Sequence, residues 1–258
     1  MLSYQHLYHA GNLADLHKHA ALATALAYLA QKDKPLTYLE SHAGRGLYDL
    51  SAPESLRTGE AAAARTLRDS LPAAHPLALA LSRTRALHGP DVYPGSPLIA
   101  ALTLRPSDRL HLAELHPAEH AALRSALAPW PHATVHQRDG LDMALALTPP
   151  TPRRGLCLID PSYEVKDDYR TLPAFVARLH RKWNVGVIML WYPILTGEPQ
   201  RGMADSLTAA HPAALRHEVR FPTAREGHRM TGSGLFILNP PWGLAQDLAR
   251  LTALYAGG

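Results

Sequence analysis

The chain has 258 residues and a mass of 28.1 kDa, the size of one large α/β domain or of a domain that carries an insertion. Hydrophobic residues make up 47% and charged residues 19%, so the chain can bury a sizeable core and is not of the disordered class. The single cysteine excludes an internal disulfide framework and a multi-cysteine metal site, and the net charge of +4 is compatible with nucleic acid, although biased composition explains it equally well.

The first predicted helix begins after Asn12, which can cap it, and runs to about Ala30. A second amphipathic helix is predicted over Asp168–Trp183. Seven short apolar, β-prone runs also recur along the chain, most of them separated by helical spacing. Strands that alternate with helices predict a doubly wound, mostly parallel sheet. The predicted strands are Pro35–Glu40, Arg109–Leu115, Ala133–Asp139, Gly155–Asp160, Gly186–Pro193, His217–Phe221 and Ser233–Pro240.

One interval interrupts this rhythm, because no strand is predicted between Tyr48 and Ser96. It holds two helix-like segments, Gly59–Ser70 and Pro76–His88, bounded by prolines. We interpret residues 49–95 as a helical insertion within a single domain that spans 1–258. A recognition surface and a stabilising cap are equally good interpretations of such an insertion.

No apolar run is long enough to cross a bilayer. The longest, Gly186–Ile194, falls well short of the roughly 20 residues that a spanning helix needs. The first nine residues lack the basic and apolar regions of a secretory signal. We therefore expect a cytoplasmic protein with no membrane partner, and also a monomer without a bound metal.

Acidic residues and glycines stand where the first predicted strands end. Gly44 and Gly46 follow the strand that ends at Glu40, but Asp49 occupies the place of a third glycine, which argues against a pyrophosphate site of the NAD type. Glu114, at the end of the second strand, is placed to accept hydrogen bonds from ribose hydroxyls. Glu114 follows the glycines by some 50 residues more than in a fold without an insertion, and this excess matches the length of the helical insertion.

The third predicted strand ends in Asp139-Gly140. The carboxylate of Asp139 can bind the exocyclic amine of an adenine ring, and Gly140 leaves room for it. The acidic ends of three successive strands, Glu40, Glu114 and Asp139, would then line one rim. A nucleoside cofactor without a pyrophosphate fits such a rim, and S-adenosylmethionine is the obvious candidate.

The fourth predicted strand ends in Asp160-Pro161-Ser162-Tyr163. The amino group of a planar base is a poor nucleophile, because its lone pair is delocalised into the ring. The Asp160 carboxylate and the Pro161 carbonyl can each accept one N–H bond, which favours the tetrahedral nitrogen and directs its lone pair at a methyl donor. Tyr163 can stack on the extruded base. A plain Asp-Pro turn is the alternative.

With these motifs assembled, the whole chain resembles the 23S ribosomal RNA adenine-N6 methyltransferase J family. The resemblance implies a Rossmann-like methyltransferase sheet with a small helical insertion, and methyl transfer from S-adenosylmethionine to N6 of an adenine in 23S ribosomal RNA. It rests on Leu2-Ser3-Tyr4, His9-Ala10-Gly11-Asn12, Asp15 with Lys18-His19, Lys32-Asp33-Lys34-Pro35, His42-Ala43-Gly44, Arg57-Thr58-Gly59-Glu60, Tyr93-Pro94-Gly95-Ser96-Pro97-Leu98-Ile99-Ala100, Glu114-Leu115-His116-Pro117, Arg138-Asp139-Gly140, Asp160-Pro161, Trp191-Tyr192-Pro193 and Asn239-Pro240-Pro241-Trp242.

The resemblance also implies roles for particular residues. Asp160 would be the catalytic carboxylate, with Pro161 and Tyr163 beside it. Tyr4 would touch the RNA base or gate its pocket, and Lys18 would face the site from the first helix. The cofactor contacts would fall on His19, His42, Gly44, Ser96, Glu114, Asp139 and Gly140.

One residue departs from the family's pattern. The family's usual Asp-Pro-Pro-Tyr reads Asp-Pro-Ser-Tyr here, so Ser162 lacks the ring that stiffens the loop. We call Asp160-Pro161 and Asn239-Pro240 the two acid-Pro-like motifs. The second of them, in Asn239-Pro240-Pro241-Trp242, follows the last predicted strand, and we interpret it as structural. A DNA adenine-N6 methyltransferase and an RNA-binding module with weakened catalysis remain alternative functions.

Overall fold

The computed structural model describes residues 6–223 and 227–256. Tyr4 therefore lies outside the described residues. All other residues that the sequence analysis assigns to the site are described.

Seven strands form one sheet in the order β5-β4-β1-β6-β7-β9-β8, which confirms the predicted seven-stranded, mostly parallel Rossmann-like sheet. Every strand pair is parallel except the two that involve β9. The strands of this sheet are β1 (Thr37–Glu40), β4 (Arg109–Ala113), β5 (Ala133–His136), β6 (Gly155–Ile159), β7 (Val187–Leu195), β8 (Leu215–Arg220) and β9 (Met230–Leu238).

The centre of the sheet is apolar on both faces. All residues of β1 and β6 are buried, and Tyr38 of β1 pairs with Leu110 on one side and Leu156 on the other. Because β5, β4, β1, β6 and β7 are parallel, their carboxyl ends meet at one rim of the sheet. The loops that follow these strands are therefore brought together there.

The last strand runs against its neighbours. In the antiparallel pairing of β7 with β9, Ile188 stands opposite Leu238. The residue after β9, Asn239, is consequently beside the start of β7, at the opposite end of the sheet from Asp160. This placement separates the two acid-Pro-like motifs.

Helices cover both faces of the sheet, and the predicted first helix is confirmed at both ends. Asn12 caps it with its side-chain oxygen, which accepts from the backbone N–H of Asp15 at 2.9 Å. A short 3-10 helix covers His6–Tyr8. The α-helices are α1 (Leu13–Ala30), α2 (Pro53–Thr58), α3 (Glu60–Ala63), α4 (Arg65–Asp69), α5 (Pro76–His88), α6 (Ser96–Thr103), α7 (Pro117–Ala126), α8 (Gly140–Leu147), α9 (Asp168–Lys182), α10 (Arg201–Ala210) and α11 (Leu244–Ala256).

The expectation of no strand between Tyr48 and Ser96 is wrong. The strands β2 (Leu47–Asp49) and β3 (Val92–Pro94) pair antiparallel, with Tyr48 opposite Tyr93. Each is only three residues long, and each contains a tyrosine that is almost completely buried, so hydropathy spacing carries little signal for them. The pair joins the two ends of the segment that holds α2 to α5.

Candidate active site

A cavity of about 560 Å³ opens at the rim where the parallel strands end. Its size is typical of a small-molecule site, and its position is where open α/β sheets bind ligands. The described residues that the sequence analysis assigns to the site all line this cavity, namely Lys18, His19, His42, Gly44, Ser96, Glu114, Asp139, Gly140, Asp160, Pro161 and Tyr163.

A buried ion pair joins the first helix to the end of β6. Nζ of Lys18 lies 2.6 Å from Oδ2 of Asp160 and 2.9 Å from Oδ1 of Asp15. Burial lowers the pKa of Lys18, but the two carboxylates outweigh it, so that its pKa lies above the ordinary value. The same ammonium group lies 5.3 Å from the ring centre of Trp191. Lys18 is thus a fixed cation.

Asp15 is the group at the centre of this network that the sequence analysis missed. Its Oδ2 accepts from the backbone N–H of Gly11 and contacts Nε2 of His6, both at 2.9 Å. Burial raises its pKa, but the contact with His6 and the charge of Lys18 outweigh burial and hold that pKa well below its usual value. The spacing of Asp15 and Lys18, three residues apart near the start of a predicted helix, is the signal by which Asp15 could have been found.

His19 faces the cavity as a neutral ring. Its Nδ1 lies 2.8 Å from the hydroxyl of Tyr93, and the two rings are stacked with their centres 5.6 Å apart. Burial is the main reason that the pKa of His19 falls to about 3. The neutral imidazole therefore offers a hydrogen bond rather than a charge. Strand β3 is what brings Tyr93 to this position.

His42 lies on the loop directly after β1. Its Nδ1 is 2.7 Å from Oγ of Ser41, and burial lowers its pKa. Gly44, two residues later, has a φ of 62°, in the left-handed region that favours glycine. A Cβ atom built on Gly44 would lie 2.4 Å from the hydroxyl oxygen of Tyr48, so backbone conformation and space both require glycine there.

Glu114 is held at the mouth of the cavity by two backbone donors. Its Oε2 accepts from the N–H of Gly44 at 2.9 Å, and its Oε1 accepts from the N–H of His116 at 2.8 Å. Each carboxylate oxygen keeps a second lone pair for a further donor. Glu114 therefore fixes the glycine loop as well as presenting acceptors to the cavity.

Glu40 does not lie at the rim, contrary to the expectation of three acidic strand ends side by side. Its side chain is fully buried, accepts from the Tyr38 hydroxyl at 2.8 Å and is hydrogen-bonded to the hydroxyl of Ser96. Desolvation raises its pKa to about 8. Because Ser96 lines the cavity and begins α6, Glu40 supports the site from beneath.

The turn from β5 into α8 carries the next pair of residues. Asp139 caps α8, and its Oδ1 accepts from the backbone N–H of Asp142 at 2.9 Å. A Cβ atom on Gly140 would lie 1.7 Å from the carbonyl oxygen of Ser41. The close approach of the backbone after β1 is by itself a sufficient reason for glycine at position 140, and room for an adenine stays a prediction.

The loop after β6 places Tyr163 in a buried and strained position. Its φ is 56°, its hydroxyl donates to the carbonyl oxygen of Trp191 at 2.8 Å, and its ring stacks on Tyr169 with the centres 4.7 Å apart. One face of the ring is thus already covered in this structure. Positive φ in a non-glycine residue costs free energy and is common at functional loops. Pro161 is buried beside Asp160, and Ser162 is partly exposed.

Asn239 has a structural role at the far end of the sheet. Its amide group donates to the carbonyl oxygens of Asn184 at 2.9 Å and of Gly186 at 2.8 Å. These bonds hold the loop that leads into β7. The structural interpretation of the second motif therefore agrees with its contacts.

No group of three or more His, Cys, Asp or Glu side chains within 6–223 and 227–256 is arranged to hold a metal ion. Over the same residues, no helix is both long and apolar enough to cross a membrane.

The family model described as Ribosomal RNA large subunit methyltransferase D, RlmJ, matches residues 33–256. The chain belongs to this family. The family's Escherichia coli (strain K12) protein, named Ribosomal RNA large subunit methyltransferase J, is 39% identical over 253 residues, which cover 96% of this chain and 90% of that protein. The protein of the same name from Haemophilus influenzae (strain ATCC 51907 / DSM 11121 / KW20 / Rd) is 36% identical over 257 residues, covering 97% and 92%.

A solved structure extends the similarity to the fold. The crystal structure of protein LPL1258 from Legionella pneumophila str. Philadelphia 1 superposes with a TM-score of 0.83 at 36% sequence identity, and the match covers 97% of this chain and 95% of that one. The sequence-based recognition of the family is confirmed by these findings.

Proposed function

We propose that this protein transfers a methyl group from S-adenosylmethionine to N6 of an adenine in 23S ribosomal RNA. Membership of the large-subunit ribosomal RNA methyltransferase family supports the reaction class and the RNA substrate. The proposal that an exocyclic amine accepts the methyl group rests on one observation. Asp160-Pro161 follows the central strand β6 and lines the same cavity as Glu114 and Asp139. A cytoplasmic location, expected from the sequence, agrees with such a substrate.

The residues around the cavity suit S-adenosylmethionine. Glu114 offers acceptors for the ribose hydroxyls, and Asp139 offers one for the adenine amine of the donor. Ser96 stands at the start of α6, where backbone N–H groups favour an anion such as the donor's carboxylate. The neutral rings of His19 and His42 add polar contacts. When bound, the donor supplies an electrophilic methyl group.

Asp160 and Pro161 account for the choice of an exocyclic amine as the acceptor. Lys18 occupies one oxygen of Asp160, Oδ2, which leaves Oδ1 available for an N–H of the base. The carbonyl of Pro161 can take the second N–H. With both protons held, the nitrogen lone pair turns out of the ring plane and toward the methyl group, and the acceptors are already oriented before reaction.

Tyr163 would meet the base by its exposed edge or after a change in its packing, because Tyr169 covers one face of its ring. Lys18 would act mainly through Asp160, as a positioning residue. Tyr4 stays a predicted substrate contact from outside the described residues.

Transfer of a labelled methyl group to deproteinised 23S RNA, followed by nucleoside analysis, tests the proposal. We expect the label in N6-methyladenosine of the RNA and none in duplex DNA. Label in DNA alone would favour the DNA methyltransferase. Donor and RNA binding without transfer would favour the RNA-binding module. A parallel assay on precursor particles identifies the better substrate, and sedimentation tests the predicted monomer.

A further inference from the structure

A cluster of basic side chains lies at the end of the sheet opposite to the cavity. Thr37, at the start of β1, pairs with Arg109 on one side and with Gly155 on the other. The segments that lead into β4, β1 and β6 therefore lie side by side, across about 10 Å at the usual strand spacing. We define the basic end as Lys32, Lys34, Arg105, Arg109, Arg153 and Arg154.

Hydrogen bonds hold this cluster together. Arg105 donates to the carbonyl oxygens of Lys32 and Lys34, both at 2.9 Å. Arg154 donates to the same carbonyl of Lys34, also at 2.9 Å, and to that of Leu29. Two guanidinium groups thus converge on one backbone oxygen, and the loop before β1 is fixed between them. The basic end is preformed.

The charges at this end are unbalanced. Its six basic side chains are accompanied by two carboxylates: Asp108, which is buried against Arg105 at 3.0 Å, and Asp33, which is exposed and 3.8 Å from Arg105. Burial and the nearby charge of Arg105 both lower the pKa of Arg154. Among the residues that the structure describes, the exposed Lys32 and Lys34 form no side-chain ion pair.

We infer that the basic end binds the phosphate backbone of the same RNA whose adenine enters the cavity, an inference that rests on the proposed function. The exposed apolar side chains at this end of the sheet, Val185 and Trp242, lie beside β7 and β9 and outside the three segments of the basic end. Within those segments the exposed side chains are mainly basic, which favours a polyanion as the partner. Basic side chains that neutralise phosphates release condensed counterions, and this drives binding irrespective of sequence. The motif Lys32-Asp33-Lys34-Pro35, unexplained by the catalytic site, is placed in this surface.

The distance between the two sites sets the kind of RNA that reaches both. Lys34 lies six residues before Glu40 along an extended segment, so the basic end is about 20 Å from the cavity floor. A long, folded ribosomal RNA can contact both ends of the sheet. A short fragment around the target adenine contacts the cavity alone.

The experiment compares two double variants that remove the same charge. Lys32→Gln/Lys34→Gln neutralises the free lysines and leaves Arg105 and Arg154 to hold the loop. Arg124→Gln/Arg250→Gln is the control on exposed positions of α7 and α11. RNA binding is measured by fluorescence anisotropy over a range of salt, with a full-length 23S transcript and with the shortest fragment that the wild type methylates.

For the lysine variant on the long transcript, we expect Kd to rise about tenfold and the salt slope to become shallower by about 1 to 2. KM for that RNA should rise while kcat and donor affinity stay unchanged, and the short fragment should show no difference. The control should behave as the wild type.

Unchanged Kd and slope on the long transcript, or an equal loss in the control, would overturn the inference. So would loss of binding to phosphatidylserine vesicles with RNA affinity unchanged, which would assign the surface to a membrane. Anisotropy on the full-length transcript needs no methyl transfer. A wild type that binds this RNA but transfers no methyl group therefore contradicts the proposed function, while the two double variants still test the basic end.

Discussion

The ammonium nitrogen of Lys18 lies 2.6 Å from Oδ2 of Asp160, although 142 positions separate the two residues in the chain. Asp15 binds the same ammonium group from the other side at 2.9 Å. All three side chains are buried or nearly so, which makes their mutual pairing essential to the folded state. The proposed catalytic carboxylate is thus oriented by a residue on the first helix.

The Lys18→Met variant should lose catalysis more than donor binding. Without the cation, Asp15 and Asp160 face one another uncompensated, and Asp160 loses its orientation. We expect the single-turnover rate to fall by about 10²–10³ and the free energy of unfolding by about 3–5 kcal/mol. Lys166→Met, at an exposed position of the loop that follows Asp160, is the control and should change neither the rate nor the stability. A normal rate in folded Lys18→Met would remove Lys18 from the mechanism.

Asp160→Ala and Asn239→Ala separate the two acid-Pro-like motifs. The first should abolish turnover while donor binding persists, because its contact matters most as the lone pair localises. The second should keep its activity and lose about 1–2 kcal/mol of stability with its two hydrogen bonds. Single-turnover assays with circular dichroism check both. An inactive, folded Asn239→Ala beside an active Asp160→Ala would reverse the assignment.

Glu114→Ala should weaken S-adenosylmethionine binding by about tenfold to a hundredfold, the effect of leaving polar partners unpaired at roughly 1–3 kcal/mol. Part of that loss comes from the Gly44 loop, whose N–H it binds. Glu114→Gln keeps one acceptor oxygen and should show an intermediate affinity. Isothermal titration calorimetry measures both. Unchanged donor affinity in folded Glu114→Ala would place the ribose elsewhere.

Glu40→Gln tests the buried carboxyl through the pH dependence of stability. Burial raises the pKa of Glu40 to about 8, against 4.5 ordinarily. The folded state therefore holds a proton that the unfolded chain has lost between these values, and the stability that Glu40 contributes is fully present below pH 4.5 and lost as pH rises toward 8. Between these pH values, the free energy of unfolding of Glu40→Gln should rise relative to that of the wild type by up to about 1.4 kcal/mol per pH unit.

Urea unfolding of the two proteins at pH 5, 6, 7 and 8 measures that difference. His19 acts in the opposite direction: its pKa is lowered to about 3, so its contribution is present above pH 6.5 and lost as pH falls toward 3. Both proteins contain His19, and its effect cancels in the comparison. A difference that does not change with pH would show that Glu40 is ionised throughout.

Two glycine-to-alanine substitutions test the packing beneath the cavity. Gly140→Ala should lower the free energy of unfolding by about 3 kcal/mol or more, because its Cβ would lie 1.7 Å from the Ser41 carbonyl oxygen. Gly202→Ala is the matched control, since a Cβ there meets open space in α10, and it should be neutral or stabilise by up to about 1 kcal/mol. Chemical denaturation measures the free energy of unfolding of both variants. Equal values would contradict the close approach of Gly140 to Ser41.

Patterns in the sequence were enough to predict the sheet and to place the candidate site at one of its rims. The central strand β6 is buried on both faces and is a continuous apolar run, which made it recognisable. The edge strands β5 and β8 are only partly buried and were recognised from short β-prone runs between helical segments. Because the carboxyl ends of parallel strands share one rim, Glu114, Asp139 and Asp160 could be assigned to a common cavity. The capping of α1 by Asn12 was equally local, and hence readable.

The contacts among these groups became visible only in the folded structure. The ion pair of Lys18 with Asp160, the burial of Glu40 under Ser96 and the reversed direction of β9 depend on how elements distant in the chain pack. Hydropathy marks which face of an element is buried, and it says nothing about which side chain from another element meets it. The roles of buried polar groups are set by those partners, since desolvation and pairing fix both their charge and their orientation.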